Sequence, residues 1–230
     1  MSEIEQNTQE WRDARAGHVT ASRIKDVMTK PRSGNAVSSV REAYMGQLIR
    51  ERLTHRAKEE DRGSYFDIER GKRLESTARS AYDLARGVAV KTAGFVKHPT
   101  LPWAGCSPDG YVGTEGLAQF KCPRDHVQWN WIINGVVPAE HRDQMLFELA
   151  CHPDRKWNDF VSYVEDVDEL PHLQLFIVRL YPDPERIAII EQAVAKFNAE
   201  LEEKISKLPR QSGKTYIEEM LEKSVELVKS

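Results

Sequence analysis

The feature that most constrains the fold is a change of hydrophobic period along the chain. From Ser38 to about Leu53, the residues Val40, Tyr44, Leu48, Ile49 and Leu53 recur at helical spacing. A second helix is expected from near Tyr65 to Ala85, with Gly87 to end it. The pattern then turns strand-like. Val88–Val96 is rich in β-branched residues, Trp103–Val112 mixes apolar with turn residues, and Gly116–Lys121 approaches a buried strand. Residues 137–151 read as a helix, Asp159–Glu165 and Leu173–Leu180 as strands, and Pro184–Leu208 and 214–228 as helices again. Near the N-terminus a short helix is expected at Thr20–Met28, with Thr20 as N-cap, before a loop at Lys30-Pro31-Arg32-Ser33-Gly34. Helices flanking a central group of strands imply an α/β layer fold.

At 230 residues the chain is long enough for one domain with a sizeable core, and residues 1–230 are read as a single unit. No apolar run approaches the roughly 20 residues of a membrane span. The polar, acidic start MSEIEQNTQE is unlike a secretory signal. Three cysteines, Cys106, Cys122 and Cys151, are too few for a disulfide framework, and a reducing cytoplasm fits them best. The net charge of −3 argues against a generally adhesive nucleic-acid binder, but the charge is uneven. Residues 11–58 hold eleven Lys/Arg against four Asp/Glu, a balance of +7 that leaves −10 for the rest. This basic N-terminal part suits local phosphate binding, or is simply a solvated basic surface. Residues 184–230 read as a helical C-terminal part.

The chemistry-bearing stretch is Cys106-Ser107-Pro108-Asp109-Gly110, with nine residues between Asp109 and the following Gln119-Phe120-Lys121. Phosphodiester cleavage uses a divalent cation to neutralise charge and activate water. Magnesium takes hard oxygen ligands, often one or two carboxylates plus water and phosphate. A carboxylate at a turn, a second ligand on the next strand and a lysine two residues along satisfy that need, because alternate strand side chains share a face. Pro-Asp-Gly is also an ordinary turn sequence. A lysine in mid-strand among apolar residues, however, is costly unless it is used.

The segment Trp11-Arg12-Asp13-Ala14-Arg15-Ala16-Gly17-His18-Val19-Thr20-Ala21-Ser22 resembles the opening motif of the lambda exonuclease family. The loop Lys30–Gly34, the helix motif Gly71-Lys72-Arg73-Leu74-Glu75, Ser107-Pro108-Asp109-Gly110 and Phe120-Lys121-Cys122-Pro123 follow in that family's order. The resemblance covers roughly residues 11–150. It implies the restriction-endonuclease-like fold, a central mixed sheet flanked by helices. It also implies a magnesium-dependent 5′→3′ exonuclease acting on one strand of duplex DNA in phage-type recombination, with manganese able to substitute. Asp109 would be the main metal ligand, with Glu75, position 119 and the Phe120 carbonyl as further ligands. Lys121 would position or activate water. Arg15, Ser22 and Ser107 would hold the terminal 5′-phosphate, Arg32 would lie near the duplex, and Ile68 would be the apolar wedge. Gln144 matches a glutamine of the helix after the active strands. Partners implied are double-stranded DNA ends, two further copies in a homotrimeric ring and a single-strand annealing protein; no membrane is implied.

Taken singly, several of these residues have plainer readings. Glu75 reads as a solvated helix carboxylate, Arg15 as a surface ion pair, Ser22 as a cap and Ile68 as core. His18, His98, His126 and His141 lack ligand spacing, and no paired C-x-x-C motif supports zinc. The sequence also departs from the family. Position 119 should be acidic, giving Glu-x-Lys, but is Gln119. The amide keeps the shape and loses the charge, so the chain reads as an inactivated form, the alternative being a natural tolerance of glutamine. A glutamine the family often has two residues after Gln144 is here Leu146. Competing functions are a structure-selective or site-specific endonuclease of the same fold, a non-catalytic DNA-end binding protein, and a helical interaction protein built on the amphipathic C-terminal third.

Overall fold

The computed structural model describes residues 6, 8–29, 38–57, 65–167 and 169–209, with the backbone alone for Tyr65–Glu69 and Lys72. The elements run α1 (Gln9–Arg15), β1 (Val19–Thr20), α2 (Ile24–Met28), α3 (Ser39–Thr54), α4 (Tyr65–Arg86), β2 (Val90–Lys91), β3 (Val96–Lys97), β4 (Ala104–Cys106), β5 (Gly110–Val112) and β6 (Gly116–Lys121). They continue with α5 (Asp125–Asn134), α6 (Ala139–Cys151), β7 (Trp157–Tyr163), α7 (Pro171–Gln174), β8 (Leu175–Leu180) and α8 (Pro184–Lys207). Among the described residues no helix is long and apolar enough to cross a membrane.

Two sheets form, in the orders β2-β5-β6-β7-β8 and β1-β4-β3. In the larger sheet only β6 and β7 are parallel. A parallel pair needs a long crossover, and α5 and α6 supply it. The strand β6 is therefore covered on both faces, and Gly116 through Phe120 are buried. On one face Ala118 and Phe120 pack with Val161 and Tyr163 against Leu74, Ala78 and Tyr82 of α4. Alternation turns Gln119 to the other face, beside Phe160, its partner in β7. There Phe160 meets the rings of Trp131 from α5 and His141 from α6.

A second core joins Val19, Ile24, Tyr44, Leu48, Phe147 and Phe197, and so unites α2, α3, α6 and α8 with the smaller sheet. The basic N-terminal part is tied into it. Arg52 donates to the Gly17 carbonyl (2.8 Å), Asn198 Oδ1 (2.7 Å) and Glu202 Oε1 (2.6 Å). One link between the two sheets is Ser107-Pro108-Asp109, which leaves β4 and enters β5. Gly110 must follow Asp109 because a Cβ there would meet Val90 Cγ1 at 2.1 Å.

Several expectations are corrected. The helix at Thr20–Met28 is a 3-10 turn (Ala21–Arg23) running into α2, and the Thr20 side chain makes no cap bond. Its hydroxyl lies 3.4 Å from that of Ser22 instead. Val88–Val96 is not one strand but contributes β2 to one sheet and β3 to the other, since Ala93 and Gly94 carry the chain across. The helix α5 was not expected. Its end is marked by Gly135 at φ +64°, a left-handed cap that glycine adopts without strain. The loop Lys30–Gly34, with Arg32, and the 214–228 helix lie outside the described residues.

Candidate active site

Asp109 sits where β5 begins, and β6 runs three residues past the last β5 pair, Gly110↔Ala118. The edge of β6 freed by that offset is capped by the Asp109 carboxylate. Its Oδ2 accepts the Phe120 N–H (2.7 Å) and a second hydrogen bond from Gln119 Nε2. An extended residue turns N–H and C=O to the same strand edge, so the Phe120 carbonyl lies on the Asp109 side.

Glu75 reaches the site from α4. It is felt at Asp109 as a second negative charge. Arg79 positions it, donating to Glu75 Oε1 (3.4 Å) and to the Asp109 carbonyl (3.0 Å) while its guanidinium covers the Phe120 ring. Arg70, nine residues before Arg79 on the same helix, donates to the carbonyls of Cys122 and Pro123, both at 3.0 Å, and clamps the end of β6. Lys121 shares the Gln119 face, and its ammonium acts on Asp109, His141 and Glu148. Burial pushes the Asp109 carboxyl up to about 6; Lys121 opposes the rise and Glu75 adds to it.

A desolvated carboxylate at Asp109 with the half-exposed Glu75 carboxylate acting on it suits a hard divalent cation, which takes carboxylate and carbonyl oxygens. The donor set Asp109, Glu75 and the Phe120 carbonyl fits that chemistry. Position 119 fits it less well, because the amide nitrogen, a donor, faces Asp109. With glutamine there, no three His, Cys, Asp or Glu side chains converge among the described residues.

Behind this row lies a second one that sequence reading only half found. Gln144 of α6 donates to Gln119 Oε1 (2.8 Å) and to Glu148 Oε1 (2.9 Å), so both amide hydrogens face protein rather than an outside phosphate. Glu148 is fully buried and was not singled out, although its i,i+4 spacing from Gln144 was the available signal.

The expected phosphate residues gather near the end of β4. The parallel register Val19↔Ala104 and Thr20↔Gly105 brings Ser22 and Ser107 each two residues beyond the last pair. Trp11 donates its indole N–H to Ser107 Oγ (3.0 Å), and the Arg15 guanidinium lies 3.9 Å over the Trp11 ring. Trp11 is thus the bridge that the motif left without a role. Ser22 and Gln144 border one groove together with Lys25 and Asp143. Ile68 falls on α4, but its side chain lies outside the described residues.

The model of the YqaJ-like viral recombinase domain matches residues 10–153, a span that holds every residue of this site. The chain belongs to the YqaJ-like viral recombinase family. Among solved structures, this YqaJ-like chain is similar to an alkaline exonuclease (LHK-Exo) from Laribacter hongkongensis. The TM-score is 0.76 at 39% identity, over 86% of this chain and 95% of that one. The structure of LHK-Exo in complex with dAMP gives 0.75 at 41% identity, over the same 86% and 95%. A phage related exonuclease from Haemophilus somnus 129PT shares the fold alone, with a TM-score of 0.54 at 16% identity over 82% and 96%. No curated protein matches. The mixed sheets flanked by helices are the fold of these nucleases, as the resemblance implied.

Proposed function

We propose that this YqaJ-like chain is a magnesium-dependent exonuclease that digests one strand of double-stranded DNA from a 5′-phosphorylated end during phage-type recombination. Gln119 leaves it inactivated in this form. The observation that carries the reading is the assembly of Asp109, position 119, Lys121 and Glu75 at the free end of β6, next to the Trp11–Ser107–Arg15 group. LHK-Exo has been solved with dAMP, a deoxynucleoside 5′-monophosphate, and likeness to that protein supports a site for such a phosphate.

In this mechanism Asp109, Glu75 and the Phe120 carbonyl would hold the cation, which would supply charge neutralisation at the scissile phosphate and ease deprotonation of the attacking water. Lys121 orients the attacking water and balances charge with its ammonium. Arg15, Ser22 and Ser107 hold the terminal phosphate, so the strand enters to a fixed depth and is cut at a fixed distance. An acid at position 119 completes the ligand set; the amide instead satisfies itself against Asp109 and Gln144. Arg32 near the duplex, Ile68 as wedge, Gln144 lining the groove beside Ser22, manganese as a substitute ion, a homotrimeric ring and an annealing partner belong to the same proposal. So does the reading of residues 1–230 as one nuclease domain.

A second reading, a non-catalytic DNA-end binder, draws on the same hydrogen bonds: the Gln119 amide has a protein partner at its nitrogen and at its oxygen as it stands. End-labelled duplex with magnesium separates the two. Gln119→Glu should cleave 5′-phosphorylated ends on the order of a hundredfold faster than the chain as it is. End binding with no cleavage by Gln119→Glu would contradict the nuclease and favour the binder.

A further inference from the structure

Gln144 meets the site through Gln119, and its amide sense decides how position 119 is held. The two hydrogens of its NH2 group go to Gln119 Oε1 and Glu148 Oε1. Only with the second hydrogen held does the amide keep its nitrogen, and not its oxygen, toward position 119. The oxygen of residue 119 is then the acceptor, and its other terminal atom must face Asp109. Glu148 is fixed in turn by Asn158 of β7, whose Nδ2 donates to Glu148 Oε2 (2.8 Å). Both Glu148 and Asn158 are completely buried.

Nothing in the fold needs a carboxyl there. A buried carboxyl whose hydrogen-bond partners are the amides of Gln144 and Asn158 costs stability that an apolar side chain of similar volume does not. Burial pushes its proton affinity up, the pKa reaching about 8; the amides of Gln144 and Asn158 oppose the rise and the charge of Asp109 adds to it. Asn158 Oδ1 is a buried acceptor without a hydrogen-bond partner. Turning that amide over supplies an acceptor for a Glu148 O–H, so the bridge holds in either protonation state.

We propose that Glu148 is a positioning residue for this site: it orients the Gln144 amide and, through it, the side chain at position 119. The proposal rests on the nuclease reading for its kinetic consequence, not for its geometry. Two variants test it. E148Q keeps an acceptor for Gln144 and can be satisfied by Asn158, whereas E148L removes the acceptor. In the Gln119→Glu background, E148Q should retain most of the cleavage rate. E148L should lower kcat about tenfold or more, with KM for DNA ends little changed.

A second readout needs no cleavage. In the chain as it is, the side-chain amide protons of Gln119 and Gln144 should exchange with water more slowly than those of an exposed glutamine. E148L should abolish that protection and E148Q keep it. Amide protons as fast as those of an exposed glutamine in the unmodified chain would overturn the proposal. So would a folded E148L with the parent's kcat and protection, or an E148Q loss equal to that of E148L. If Gln119→Glu does not cleave DNA at all, the nuclease reading fails while the exchange measurement still decides this one.

Discussion

The side-chain amide of Gln119 donates to the Oδ2 of Asp109, the atom that also accepts the Phe120 N–H. That hydrogen bond sets a neutral amide N–H against the carboxylate where a cation's charge is wanted. Replacing the amide by a carboxylate removes the bond and adds a like charge beside Asp109 and Glu75, so Gln119→Glu should be less stable than the parent without metal. Magnesium should reverse the order. Thermal unfolding checks this: the gain on adding magnesium should be on the order of 2 to 3 kcal/mol at a hundredfold excess over Kd for Gln119→Glu, and much smaller for the parent.

The Trp11–Ser107–Arg15 group makes a second prediction. If these residues hold a terminal phosphate, Arg15→Ala should weaken binding of 5′-phosphorylated ends about tenfold or more, the magnitude of a charge-assisted hydrogen bond. Binding of 5′-hydroxyl ends should change little. Trp11→Phe keeps the ring under Arg15 and loses only the indole bond to Ser107, so its loss should be smaller. The ratio of dissociation constants for the two kinds of end is the quantity to measure.

Much of this was readable from residues alone, for identifiable reasons. The strand Gly116–Lys121 was bounded correctly because a strand buried on both faces is a continuous apolar run broken only by residues with a task, here Gln119 and Lys121. Asp109 was legible from its spacing to Gln119 and Lys121 and from the motif Ser107-Pro108-Asp109-Gly110; why a glycine follows it shows only in the fold, where Val90 fills the place of a side chain. The two short strands β2 and β3 were not, because two-residue pairings carry too little periodicity to show where a chain changes sheets. The helix α5 was missed because Trp129, Trp131 and Ile132 do not mark a narrow apolar stripe. Glu148 and Trp11 were missed for a different reason: each acts on the site through another side chain, and no spacing in the sequence announces such a contact.

Glu148 has a pH signature of its own. Its folded-state pKa is raised from the usual 4.5 to about 8, so the folded protein holds the proton more tightly than the unfolded chain. The stability this contributes is fully present below about pH 4.5 and is lost as pH rises toward 8. E148Q cannot ionise and loses nothing over that interval. The melting temperature of E148Q relative to the parent should therefore climb from pH 5 to pH 8 and level off above it. A difference that stays flat across that interval would mean that residue 148 does not titrate there.

The central claim is that Asp109, Glu75 and position 119 share one divalent cation with Lys121 beside it. The most direct measurement is a crystal of the Gln119→Glu protein soaked in manganese and read by anomalous scattering. The account predicts a single strong peak at coordination distance, about 2.0 to 2.2 Å, from the carboxylate of Asp109. The side chain of residue 119 should ligate the same ion, and Glu75 should approach it directly or through water. Those carboxylates pointing apart, with no ion between them at saturating manganese, would contradict it.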